Sequence, residues 1–197
     1  MMHYLFLDIE TVPLEIRHED VKSYLMDKKI SKEDRSLNPL YAKIVVLGIK
    51  PLGGQARLLT GDEKEILAEF WQLLGGMNTV LVTHNGYKFD VPFIKIRSII
   101  NGVKIPYAIN TNRWQMERSN HFDVMLFFSQ QETFTNPNLR ILGKMQGIES
   151  TDDFFGHDVE RLHKEGRMQD IISHCRADIE LLERIFVQLC KEYAENT

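Results

Sequence analysis

The chain has 197 residues, 43% of them hydrophobic and 26% charged, and a formal net charge of −4, a balance that fits one soluble globular domain with a sizeable core. The negative charge argues against a protein that coats nucleic acid through bulk charge, but not against an enzyme that brings cations to a phosphate. No apolar run approaches a membrane span, the N-terminus lacks a leader pattern, and Cys175 and Cys190 suggest neither a disulfide framework nor a metal knuckle, so a reducing cytoplasm without membrane attachment is the expectation.

Residues 3–9 read as a fully buried strand. Residues 14–40 are charged and irregular, with a short amphipathic pattern at Val21, Tyr24 and Leu25, and read as a partly helical insertion over one edge of the domain. "KIVVLGIK" (43–50) and "QARLLT" (55–60) flank Pro51-Leu52-Gly53-Gly54 and predict a hairpin. Asp62 then opens a helix as N-cap with Glu65 as its capping-box partner, Ile66, Leu67, Phe70, Leu73 and Leu74 give that helix one apolar stripe, and Gly75-Gly76 stop it. "TVLVT" (79–83) is another buried strand, followed by a helix marked by Phe93, Ile96 and Ile100. "HFDVMLFF" (121–128) begins as a strand end, Asn138 caps a helix carrying Leu139, Leu142 and Met145, and a last long helix runs from near Arg167 to about Tyr193. No repeat or linker divides the chain, so residues 1–197 are expected to form a single α/β domain, one sheet between helices.

Within that pattern four carboxylates stand in unexpected places. In "LFLDIETVP" the apolar run ends in Asp8 and Glu10, which alternation puts on the same face, roughly 6.5 Å apart along the strand. Two such charges, partly desolvated, repel and raise each other's pKa unless a Lys, an Arg or a divalent metal lies between them. Asp178 interrupts the stripe Met168, Ile171, Cys175, Leu182, Ile185 and Leu189 of the last helix, with His174 one turn earlier. A buried Asp–His or Asp–Arg pair explains that position as well as a ligand does. Asp90 follows the strand end and turn of "THNGYKFDVPFI" (83–94), where an N-cap role before Pro92 and turn roles for Asn85 and Gly86 are the simpler alternatives. Asp123, at another strand end, reads as structural. Together, Asp8, Glu10, Asp90 and Asp178 fall at strand ends or helix starts, where an open α/β sheet forms its ligand crevice. An oxygen-only set favours Mg²⁺ or Mn²⁺ over Zn²⁺ and fits two-metal phosphodiester chemistry.

In order, "LDIET", "THNGYKFDVPF" and "HCRAD" resemble the three motifs of the DEDD 3′–5′ exonuclease superfamily, within the ribonuclease H-like fold. Asn85, Phe89, Asp90, Pro92 and Phe93 match the second motif as it occurs in the proofreading domains of family B DNA polymerases. The chain is similar to the stand-alone predicted exonucleases related to that domain, and "PLYAKIVVLGI", "NHFDVM", "NLRILGKMQGI" and "GHDVERLHKEG" fall where that group carries similar segments. The likeness spans nearly the whole chain except roughly residues 14–38. One departure lies in the third motif. His174 occupies the place of the tyrosine in the tyrosine subclass, whereas the histidine subclass spaces its His one residue further from the Asp.

The resemblance implies a ribonuclease H-like mixed sheet of about five strands flanked by helices, and a catalytic set of Asp8, Glu10, Asp90, His174 and Asp178. It implies two ions, Mg²⁺ or Mn²⁺, one held by Asp8, Glu10 and Asp178 and the other by Asp8 with Asp90. His174 then accepts or orients the water's proton, or is a buried partner hydrogen-bonded to Asp178. Phe89 and the backbone at Thr11 would face the terminal nucleotides, with Asn85 shaping the loop. Arg113 and Trp114, with Arg118, either contact the strand by stacking and charge or form a solvated loop. The implied activity is 3′–5′ hydrolysis of single-stranded nucleic acid, DNA ahead of RNA. Its rivals are a catalytically silent nucleic-acid-binding module and a metal-dependent endonuclease or ribonuclease of the same fold.

Overall fold

The structure, a computed structural model, describes residues 3–74, 79–112, 114 and 119–192. The central strand is β1 (His3–Pro13), apolar on both faces over its first half because helices cover it from both sides. β1 pairs antiparallel with β2 (Ala42–Pro51), which pairs antiparallel with β3 (Arg57–Thr60). On its other edge β1 runs parallel to β4 (Thr79–Thr83), and β4 parallel to β5 (His121–Asp123). The result is the expected mixed sheet, with five strands in the order β3-β2-β1-β4-β5.

β1 is longer than the expected 3–9. Its pairing with β2 continues to Pro13↔Ala42, while its pairing with β4 stops at Phe6↔Val82. Asp8 and Glu10 therefore lie in mid-strand, not at a strand end. Both follow the point, after Phe6, where β1 no longer pairs with β4 and keeps only β2 as a neighbour. The β1–β2 register shifts between Glu10 and Thr11, where Val45 is the extra residue.

Residues 14–40 carry two short helices, α1 (Glu19–Asp27) and α2 (Lys32–Ser36), the second closed by a capping box between Ser31 and Asp34. The segment is tied to the end of β1 by Thr11 Oγ1 donating to Ser36 O at 2.7 Å and by Leu14 N donating to Tyr41 O at 2.7 Å. α3 (Glu63–Leu74) starts as expected after Asp62, whose carboxylate accepts from the Lys64 and Glu65 amides, and with α4 (Asp90–Ile100) it covers one face of the sheet. Gly75 and Gly76, its expected stop, lie outside the described residues.

The other face is covered mainly by α8 (Met168–Glu192). It also carries α6 (Leu139–Met145) and α7 (Val159–Lys164), while the short α5 (Val124–Phe128) follows β5. Asn138 caps α6 as expected, but Met145 is 81% exposed, because this seven-residue helix packs through Leu139, Leu142 and Gly143 and Met145 falls off that face. α7, which pattern alone does not announce, inserts Val159 and Leu162 under the sheet. The expected end of the last helix at Tyr193 lies outside the described residues.

Candidate active site

Alternation along β1 sends Leu5, Leu7 and Ile9 toward α3 and α4, and Phe6 and Val12 toward α8. Asp8 and Glu10 share the parity of Phe6, so both carboxylates face α8. α8 can descend onto the sheet there because Gly48, paired with Asp8 across the ladder, has no side chain. A Cβ at Gly48 would lie 2.2 Å from Ile179 Cδ1 and 2.8 Å from Cys175 Sγ. A glycine inside an otherwise apolar strand is the sequence signal for such an approach, and it was there to be read in "KIVVLGIK". The contact brings His174 and Asp178, one turn apart on α8, beside β1.

Asp90 arrives from the opposite side of the sheet. It is the first residue of α4, and Phe89, not Asp90, occupies the cap position, so the N-cap alternative does not describe it. Its carboxyl lies close enough to β1 that the Ile9 backbone, with its own amide, opposes the upward pKa shift set by burial. Asp123 fixes the turn that delivers it: its carboxylate accepts from Asn85 N and Tyr87 N at 3.0 Å each and caps α5 through Leu126 N. Asn85 holds a left-handed backbone, φ 69°, and its carbonyl accepts from the Lys88 and Phe89 amides. That conformation is one asparagine adopts more readily than most residues.

The electrostatics are those of like charges confined together. Burial, then the charges of Asp90 and Asp178, hold the Asp8 carboxyl well above the usual carboxylate range. Burial, then Asp8, Asp178 and Asp90, do the same to Glu10. Asp90 is pushed up to about 7, chiefly by burial, and Asp178 is raised by burial against the opposing charges of His174 and Arg140. Asp8 Oδ2 and Asp178 Oδ1 are buried with no hydrogen-bond donor among the described residues. The cations of the motifs are turned elsewhere: Lys88 is exposed and paired with Glu132, and Arg176 is exposed. Asp8, Glu10 and Cys175 can bring ligand atoms within 4.8 Å of one another. Burial, then the Asp8 and Glu10 charges, push the Cys175 thiol far up, so it keeps its proton and donates to the Asp8 carbonyl. Hard oxygen donors with unsatisfied lone pairs and mutual repulsion fit a divalent cation such as Mg²⁺ or Mn²⁺.

His174 is buried, and its hydrogen bond does not go to Asp178. Nδ1 lies 2.6 Å from Asp152 Oδ2, and Nε2 lies 3.6 Å from Glu10 Oε1. The helix does place His174 and Asp178 side by side, but Asp152, from the loop after α6, takes the imidazole. Asp152 also accepts from Arg140 Nη2 at 2.7 Å. Asp152 lies in a loop and Arg140 is not one of the apolar positions that mark α6, so sequence pattern did not single them out.

The residues expected to contact substrate differ in their surroundings. Phe89 is half-buried next to Asp90, its ring 5.4 Å from that of Phe93. The Thr11 hydroxyl is engaged by Ser36 O. Trp114 is 73% exposed. Arg113 and Arg118 lie outside the described residues.

A comparison with curated proteins finds no match. Among solved structures, the family B DNA polymerase of the hyperthermophilic archaeon Pyrobaculum calidifontis is similar over 94% of this chain, with a TM-score of 0.65 and 15% identity. At that identity the likeness establishes the fold, and this chain spans 24% of the polymerase's length. A family model matches residues 45–189, which include Asp90, His174 and Asp178. The chain belongs to the family of predicted 3′–5′ exonucleases related to the exonuclease domain of PolB.

Proposed function

We propose that this protein is a metal-dependent 3′–5′ exonuclease that hydrolyses phosphodiester bonds at the 3′ end of single-stranded nucleic acid, DNA before RNA. The observation that carries the proposal is the convergence of Asp8, Glu10, Asp90 and Asp178, two of them buried and two partly buried. Two of their oxygens lack any donor among the described residues, and every one of the four carboxyls is pushed upward. A fold under no functional demand has little reason to retain such strain.

Asp8, Glu10 and Asp178 would hold one divalent ion, and Asp8 with Asp90 a second. When bound, such ions neutralise charge on the phosphate, favour ionisation of water and stabilise the leaving 3′ oxygen. The chain's own contribution is rigidity. β1, α4 and α8 fix the carboxylates before substrate arrives, and the Asp123-held turn fixes Phe89 beside them. Phe89 and Trp114 offer aromatic faces on which terminal bases can stack, a contact indifferent to base identity. His174 Nε2 points into the carboxylate cluster, where it can accept a hydrogen bond from the attacking water.

Incubation with a 5′-labelled single strand and Mg²⁺ or Mn²⁺ tests the reading. Products should shorten one nucleotide at a time, chelator should stop the reaction, and a circular single strand should resist. Internal fragments appearing first would instead mark an endonuclease, and binding without cleavage would mark a silent binding module.

A further inference from the structure

The partner of His174 is a buried carboxylate that the site chemistry above does not use. Asp152 Oδ2 accepts from His174 Nδ1 at 2.6 Å and from Arg140 Nη2 at 2.7 Å, and its Oδ1 accepts from Phe154 N at 3.2 Å. Both oxygens are thus occupied by protein donors, which sets Asp152 apart from Asp8 and Asp178, each with an oxygen that has no donor among the described residues. Arg140 is held in turn. It also donates to the Phe154 carbonyl, and its guanidinium lies 4.5 Å from the centre of the Phe155 ring. The Arg140 and Asp152 side chains are 13% and 10% exposed, so this is an enclosed pair and not a surface contact.

A carboxylate can only accept, so the imidazole nitrogen facing Asp152 is the one that carries the hydrogen. Nε2 of the neutral ring is then left with its lone pair, aimed at the carboxylate cluster and 3.6 Å from Glu10 Oε1, too far for a hydrogen bond. We propose that Asp152, itself held by Arg140, is a positioning residue that fixes the orientation and tautomer of His174 so that Nε2 accepts the hydrogen bond of the attacking water. The proposal rests on the nuclease reading above. The arrangement follows the general rule that an acceptor behind an imidazole selects which of its nitrogens is open. It also accounts for a histidine at the spacing where the resembled motif carries a tyrosine. A phenol needs no tautomer set, whereas an imidazole does.

The first test requires no activity. Long-range ¹H–¹⁵N correlation spectra of the metal-free protein at mildly alkaline pH, with the His174 ring assigned by loss in His174→Gln, should show Nδ1 protonated and Nε2 bare. The opposite tautomer in the wild-type protein would overturn the proposal. In Asp152→Asn the side-chain amide can donate to Nδ1, and a mixed or reversed tautomer is expected; an unchanged one would count against Asp152. The second test is kinetic. On a 5′-labelled single strand with Mn²⁺, Asp152→Asn should lower the single-turnover rate by about 10–100-fold with oligonucleotide affinity unchanged, and should cost nothing further in a His174→Ala background. Additive losses in the double variant would overturn the positioning role. A wild-type protein that shows the expected tautomer but cuts no strand would instead defeat the nuclease reading and leave the positioning geometry standing.

Discussion

The sharpest physical consequence of the site is that, without metal, Asp90 should make the protein less stable as pH rises. Its carboxyl moves from 3.8 to about 7. Between those values the folded protein binds a proton that the unfolded chain releases, so stability is fully present below the lower value and is lost as pH climbs through the upper one. A shift of about 3 units corresponds to a loss on the order of 4 kcal/mol by about pH 8. Other groups pull the opposite way in part of that range. Burial lowers His84 and His121 to about 4, so these neutral rings contribute stability at neutral pH that disappears as pH falls from 6.5 toward 4. Total stability against pH therefore combines opposite signs, but in a difference against Asp90→Asn the histidines cancel, and the relief of Asp8 and Glu10 adds to the gap with the same sign. Urea unfolding of both proteins in chelator, from about pH 4 to about pH 8, should give a gap that opens from near zero to on the order of 4 kcal/mol in favour of the variant. Parallel curves would refute the claim that Asp90 is strained by its surroundings. Saturating Mn²⁺ at neutral pH should narrow the gap by stabilising the wild type, roughly 2.7 kcal/mol at a hundredfold excess over the dissociation constant.

Asp8→Asn and Asp178→Asn should each abolish cleavage while leaving a folded protein whose melting temperature responds less to Mn²⁺; an undiminished metal-induced shift in both would sink the ligand assignment. Gly48→Ala should lift α8 from β2, at a cost of about 1–3 kcal/mol by chemical denaturation, and should slow cleavage because His174 and Asp178 move with the helix. Glu63→Ala should cost about 3–5 kcal/mol, since it strands the Arg97 guanidinium in the core. Replacing Glu63 and Arg97 together by apolar residues should recover much of that loss.

Three of the carboxylates could be singled out in sequence because each violates a simple period. Asp8 and Glu10 break an apolar strand at spacing two, and Asp178 sits in a helical stripe at spacing three and four. What sequence could not reveal depends on which partner wins in three dimensions. Helical spacing offered Asp178 as the mate of His174, yet Asp152 is taken instead, 22 residues away in a loop with no periodicity to mark it. Likewise Glu63 looks like an ordinary first-turn acid. In the fold it receives Arg97 through two nitrogens, at 2.9 and 2.5 Å, together with Ile44 N and Asn101 Nδ2. The extent of β1 was misjudged for a related reason. Polar side chains in mid-strand suggest an end, but strand length is decided by the backbone partner, and β2 continues to Ala42.

Those hidden contacts explain how four mutually repelling carboxylates are held close together. Each comes from an element anchored away from the site. α8 is seated on β2 by the Gly48 contact and by Lys50 Nζ on Glu183 at 2.7 Å, a pair largely removed from solvent. α4 is locked to α3 and β2 through Glu63 and Arg97, which also reaches Pro39 O in the segment after α2. The turn before α4 hangs on Asp123. None of these anchors touches Asp8 Oδ2 or Asp178 Oδ1, so the contacts that hold the elements in place do not satisfy the oxygens left without a donor among the described residues. The electrostatic cost therefore stays in the site, where binding of a cation can relieve it, and the scaffold's own pairs supply the stability that makes the arrangement tolerable. On this view Glu63 and Arg97, remote from the carboxylates, belong to the same design as Asp8. Loosening them should degrade the geometry of the centre before it unfolds the protein.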